Sequence, residues 1–218
     1  GRRVIHGMAP VGKAALTAAW CSQEVEDLLP CQFGCVAMRC REEALLVQAI
    51  AGYRTSRTGL SSALVLFDMA NAFPSLSTKT AVDVVEGAEP PALHGFLSQH
   101  CEGVAYWLKV RDDAFLCQPG SGVPPGSSVA TDIFNHGFQP DVLEPWMKEC
   151  SSIDDAHSVR SVLRNDTILD ASTTVYVDDI AKRVSAHTPT ALVRRVAQVT
   201  AGLDKFALEA GLAQNSEK

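Results

Sequence analysis

Two acids stand side by side between two strand-like runs: Asp178-Asp179 follows Thr173-Thr174-Val175-Tyr176-Val177 and precedes Ile180 to Val184. Runs of this length and composition read as strands, and so short a connection makes them partners in a hairpin, here with a turn made of two carboxylates. A third acid ends another apolar run. Ala63-Leu64-Val65-Leu66-Phe67 stops at Asp68, with the length and composition of a buried central strand. A buried strand ending in a charge points that charge at something, so the fold has to accommodate acids at the ends of its strands.

At 218 residues, 46% apolar and 20% charged, the chain can bury one sizeable core, or one domain with a small lobe. Disorder, collagen and coiled coil are excluded as wholes. The longest apolar stretches, Ser62 to Phe67 and Val11 to Ala19 with Lys13 inside it, fall well short of the roughly 20 residues a membrane span needs. No secretory signal opens the chain, whose start reads as internal, so an intracellular protein with no membrane partner is expected. Cys21, Cys31, Cys35, Cys40, Cys101, Cys117 and Cys150 form an odd and scattered set, as reduced thiols do. Cys31, Cys35 and Cys40 lack the spacing of a zinc knuckle and read as buried small hydrophobes.

Helical periodicity runs through Val11 to Leu29 and Glu42 to Tyr53, giving a helical N-terminal lobe. Ser77 caps a helix from Thr78 to about Val85, and Pro90-Pro91 opens another through about Cys101. Tyr106 to Val110 and Ala114 to Cys117 read as a hairpin around Arg111-Asp112-Asp113. The Gly- and Pro-rich stretch Gln118 to Ser127 is a loop, Val129 to Met147 a helix apart from Gly137 and Pro140, residues 148 to 172 a loop or frayed insertion, and Pro189 to Leu212 a closing helix. Strands and helices in this order give an α+β class.

Three carboxylates meeting at one sheet edge repel one another unless cations sit between them. Oxygen-only ligands select hard cations, and Mg²⁺ binds through one or two carboxylates plus substrate phosphates. Two such ions clamp the attacking and leaving oxygens of a phosphoryl displacement. On spacing alone, an ordinary acidic turn and an ordinary strand terminator account for the same residues, because Asp is a common turn residue.

Ordered blocks along the chain then resemble reverse transcriptases, most closely those of non-LTR retrotransposons. Asp68-Met69-Ala70-Asn71-Ala72-Phe73 is similar to the first palm motif of that family, and Gly122-Val123-Pro124-Pro125-Gly126-Ser127, leading to Phe134-Asn135, to the second. Tyr176-Val177-Asp178-Asp179 matches the Tyr-x-Asp-Asp signature, and Ala210 to Lys218, with Gly211-Leu212 and Asn215 before Lys218, resembles the fourth motif. Upstream, Gln32-Phe33-Gly34 resembles the Gln-x-Gly between fingers and palm, and Arg2-Arg3-Val4-Ile5 the Arg-Pro-Ile strand of the fingers. The second motif departs from the family at Pro125, where glutamine is usual, and at Ala130-Thr131, where Ser-Pro is usual. Pro74 replaces a common aspartate.

The resemblance implies a polymerase palm with an antiparallel sheet backed by helices: residues 1–58 are part of the fingers and connecting helices, residues 59–218 the palm. The thumb is expected to be absent, which would leave the isolated chain inactive. It implies an RNA-directed DNA polymerase working on an RNA template, a DNA or RNA primer and deoxynucleoside triphosphates, with the nucleus as a location for a retroelement protein. Asp68 and Asp178 would hold two Mg²⁺ ions, with Mn²⁺ as a substitute, and Asp179 would support them. Phe73, with Ala72 and Tyr176, would receive the nucleotide and exclude a 2′-hydroxyl. Gly122 and Gly126 would let the backbone approach the template, Lys218 would protonate pyrophosphate, and Arg3 would reach the triphosphate. A formal charge of -6 is unlike the basic footprint of most nucleic-acid binders, and the lobes outside the chain would carry that basic surface. The rival readings are a viral-type RNA-dependent RNA polymerase palm and a noncatalytic or decayed retroelement-derived nucleic-acid-binding domain.

Overall fold

The computed structural model describes residues 10–103, 105–110, 113–118, 120–124, 126–153, 158–161 and 167–215. Along the chain run α1 (Pro10–Cys21), α2 (Arg41–Thr58), β1 (Ser61–Asp68), the short α3 (Ala72–Ser75), α4 (Thr78–Glu86), a 3-10 turn (Pro91–Leu93), α5 (His94–Glu102), and the hairpin β2 (Tyr106–Val110) and β3 (Asp113–Cys117). Then follow α6 (Ala130–Phe138), a π turn (Gln139–Leu143), α7 (Glu144–Ile153), β4 (Ser158–Ser161), β5 (Thr167–Asp170), β6 (Thr173–Tyr176), β7 (Asp179–Ala186) and α8 (Pro189–Glu209). The class is α+β, as expected. No helix among the described residues is long and apolar enough to cross a membrane.

These elements gather into two compact units that interleave along the sequence, one from Gly1–Asp27 and Asn71–Phe138, the other from Leu28–Ala70 and Gln139–Lys218. The first unit is helical at its centre. Ala81 and Val85 of α4, Leu97 of α5 and Ile133, Phe134 and Phe138 of α6 are buried, with Leu16 and Trp20 of α1. Helix α1 stops at Cys21 rather than running to Leu29. The next residues carry three acids, Glu24, Glu26 and Asp27, at the end of a helix where negative charge is unfavourable, and Glu24 instead exchanges backbone hydrogen bonds with Glu89.

The second unit is built on a three-stranded antiparallel sheet of order β1-β7-β6. β1 pairs with β7 over its whole length, from Ser61↔Ala186 to Asp68↔Asp179, and β7 pairs on its other side with β6. One face carries Phe67, Ile180, Val175 and Val184, all buried. Phe67 meets Trp146 of α7 edge to face at 6.0 Å, and the Trp146 indole nitrogen donates to the Val199 carbonyl of α8 at 3.0 Å, which ties both helices to this face. On the other face, Gln48 of α2 donates through its amide to Thr174 Oγ1 at 3.2 Å and to the Ala181 carbonyl at 3.4 Å. That helix leaves β1 uncovered: Leu64 is 44% and Leu66 72% exposed. β1 is therefore an edge strand with alternating exposure, not the buried central strand expected, because both of its faces are apolar and the period of 2 does not show in composition.

The helix over Val129 to Met147 is interrupted at Pro140, the residue that departs from its pattern, by the π turn, where Pro140 supplies no N–H and its ring crowds the preceding turn. Two further expectations are corrected. The stretch from 148 to 172 is not a loop: α7 continues to Ile153, and β4 pairs with β5 from Ser158↔Asp170 to Ser161↔Thr167. Runs of four residues are too short to reveal alternation. Of the cysteines, Cys31, Cys101 and Cys150 are buried, but Cys35 and Cys40 are exposed, against expectation. Burial pushes the Cys31 thiol up to about 12, with the nearby Asp170 charge adding to the shift.

Candidate functional site

The β6–β7 hairpin closes one residue earlier than the sequence suggests. Tyr176 pairs with Asp179, so the turn is Val177-Asp178 and Asp179 is the first residue of β7. Val177 adopts a left-handed φ of 63°, unusual for a β-branched residue. The Gln32-Phe33-Gly34 segment lies beside this hairpin. Phe33 N donates to the Val175 carbonyl and Val175 N to the Cys31 carbonyl, both at 2.8 Å, which makes the segment a parallel partner of β6. The Arg39 guanidinium donates to the carbonyls of Leu28, Leu29 and Gln32 and so holds the segment in place.

Asp68 and Asp179 are directly opposed across the β1–β7 pairing, and Asp178 stands in the adjoining turn. Opposed residues share a face of the sheet with Cβ atoms about 4.5 to 5.5 Å apart, and like charges so placed repel. Tyr176, 40% exposed, shares that face. On its outer side Asp68 meets the end of the chain. Gly211, at φ 78°, turns the backbone off α8, and Met69 forms an antiparallel bridge with Gln214. Asn215 N then donates to the Asp68 carbonyl at 2.8 Å, and Asn215 Nδ2 to Asp68 Oδ2 at 3.0 Å.

A divalent cation fits this donor set by its chemistry. Carboxylate oxygens are hard ligands, two of them face each other, and Mg²⁺ needs only one or two when phosphate and water complete its shell. Among the described residues no group of three or more His, Cys, Asp and Glu side chains is set to hold a metal ion. The three acids thus share one end of a sheet without forming a ready three-ligand cage.

The rest of the first motif, from Asn71 to Phe73, and the second-motif residues belong to the other unit. Phe73, in α3, is half-buried, its ring 5.2 Å from that of Phe134. Its carbonyl accepts from Val123 N at 2.9 Å, and Ser121 Oγ donates to the Pro74 carbonyl at 2.9 Å, so the glycine loop is bound to the Phe73-Pro74 turn. Gly122 and Gly126 both have a φ of 93°. A Cβ on Gly122 would come within 2.5 Å of the Pro74 backbone, so the space a side chain would need is taken by the chain itself. Ala72 is buried. Arg3, Pro125 and Lys218 lie outside the described residues. Sequence reasoning assigns no site role to Asn215 or Gly34; the available signal is their place in the fourth-motif and Gln-x-Gly blocks.

No protein-family model matches the chain, and no curated protein matches it. Among solved structures the fold is similar to that of telomerase from Candida albicans in complex with a TWJ fragment of telomeric RNA (13% identity, TM-score 0.56, covering 95% of this chain and 34% of that one). It is similar also to apo telomerase from Candida tropicalis (12% identity, TM-score 0.57, 95% and 35%). The Candida tropicalis enzyme in complex with a TWJ fragment of telomeric RNA gives 14% identity, a TM-score of 0.57 and coverages of 95% and 32%. The chain spans about a third of the length of these telomerases, and the likeness is one of fold.

Proposed function

We propose that the chain is the palm, with part of the fingers, of an RNA-directed DNA polymerase that adds deoxynucleotides to a primer 3′ end. The observation that carries this reading is the pairing of Asp68 with Asp179, with Asp178 in the adjoining turn, at one end of a sheet within a polymerase-like fold. The order of the four motif blocks supports a non-LTR retrotransposon type. Asp68, Asp178 and Asp179 would hold divalent ions, which when bound activate the primer 3′-hydroxyl and neutralise charge on departing pyrophosphate. The chain's own work is to orient: β1 and β7 fix the carboxylates, Tyr176 offers an exposed ring on their face, and the Phe73 ring, backed by Phe134, would meet the sugar of the incoming nucleotide. RNA template, primer and deoxynucleoside triphosphates are the partners this chemistry takes. Arg3 and Lys218 would contact the triphosphate and protonate pyrophosphate.

Primer extension on primed RNA and DNA templates, in a longer, extension-competent form of the protein, tests the reading. Asp178→Asn should abolish extension and leave primer–template binding largely intact, because binding rests on phosphate contacts elsewhere. Unchanged extension by that variant would remove Asp178 from the mechanism.

A further inference from the structure

Asp68 is flanked on both sides. Across β1–β7 it faces Asp179, a like charge; across the Met69–Gln214 bridge it faces Asn215, which gives its main-chain N–H to the Asp68 carbonyl and its amide to Oδ2. The backbone bonds bring the two residues into register, so the amide reaches the carboxylate with no long side chain to immobilise. Ala70 N donates to the Ala213 carbonyl at 2.8 Å and Leu212 is buried, so the segment carrying Asn215 is anchored on either side of the bridge.

A carboxylate opposite another carboxylate turns its oxygens away from its neighbour unless something holds it. Hydrogen bonds from an amide to one oxygen fix the plane of the group and thereby the direction of the other oxygen, the same service that outer partners perform for ligands in metal centres generally. We propose that Asn215 is a positioning residue for Asp68, holding its carboxylate in the orientation that binds the divalent cation. The inference rests on the reading of Asp68 as a cation ligand.

The test is Mn²⁺ binding to the 218-residue chain, followed by the loss of the free-ion electron paramagnetic resonance signal, with thermal melting recorded in parallel. Asp68→Asn should lose the site. Asn215→Leu, which keeps volume and removes the donor, and Asn215→Ala, which only trims, should melt close to the parent and bind Mn²⁺ about 10 to 100 times more weakly. The alanine variant decides if the leucine variant does not fold. If a folded Asn215 variant binds like the parent while Asp68→Asn does not bind, the positioning role is overturned and the cation site stands. If Asp68→Asn binds as well as the parent, or the parent takes up no Mn²⁺, the cation reading fails and the inference with it.

Discussion

Gly34 lies directly against the backbone of Val177: a Cβ built on it would come within 2.5 Å of the Val177 nitrogen and 2.9 Å of the Tyr176 carbonyl carbon. Both neighbours are main-chain atoms, so neither can swing away. Gly34→Ala should therefore displace the Val177-Asp178 turn at a cost of about 1 to 3 kcal/mol, typical of an overfilled site. Gly59 is the control, since its surroundings are open and only its left-handed φ of 71° opposes a side chain; Gly59→Ala should cost about 1 to 2 kcal/mol. Urea denaturation measures both, and primer extension in the longer form should fall for Gly34→Ala alone. Parent-like stability and extension in Gly34→Ala would show that the hairpin does not depend on this contact.

Lys182, on the helix-covered face of β7, is 4% exposed. Its ammonium donates to Ser172 Oγ at 2.6 Å and Thr173 Oγ1 at 2.9 Å, with Asp170 Oδ2 at 3.5 Å. Burial pushes the Asp170 carboxyl up, but the Lys182 charge and hydrogen bonds from Ser172 and Thr173 outweigh it and hold the group below its usual range. A carboxyl depressed in the folded state binds fewer protons there than in the unfolded chain. Its stabilisation is complete above the unfolded value, near 3.9, and is lost as pH falls through the lower folded value. Asp170→Asn should flatten the acid limb of the stability–pH curve while lowering stability at neutral pH. Lys182→Met should cost about 3 kcal/mol at pH 7, the low end for a broken buried pair because Asp170 is partly solvated. An unaltered acid limb in Asp170→Asn would show that this network does not set it.

Much of the fold can be read from local pattern, and the departures have specific causes. Strand β1 and the acidic hairpin are visible as apolar runs ending in charge. That β1 is an edge strand is not, since Leu64 and Leu66 are as apolar as the buried Phe67 opposite them. Local propensity puts Asp178 and Asp179 together in the turn; the observed register instead bends the chain at Val177, a residue that resists a positive φ, in contact with Gly34. The site depends on pairings remote in sequence. Asn215 and Asp68 are 147 residues apart, and no periodicity connects them; only the order of the motif blocks hints that they belong together. The interleaving of two units is likewise a matter of long-range contact, invisible to composition.

The Phe73 ring bears on the sugar specificity of the proposed polymerase. It is half-buried, 5.2 Å from Phe134, and its own carbonyl is engaged by Val123, so the backbone on which it stands is fixed from within the glycine loop. A rigid ring leaves no room for a hydroxyl on the 2′ carbon of a nucleotide placed against it, and offers no polar atom to bind one. A ribonucleotide meets a clash and an unpaired group, together about 1 to 3 kcal/mol. Phe73→Val should lift that penalty and raise ribonucleotide incorporation relative to deoxynucleotide by roughly ten- to a hundredfold. It should also lower stability, because the contact with Phe134 is lost. The two specificity constants are to be compared on one primed RNA template, using the longer form of the protein, with thermal melting alongside. A fall in melting temperature with no change in the ratio, in an enzyme still able to extend, would make Phe73 a packing residue of the helical unit and remove the steric basis for preferring deoxynucleotides.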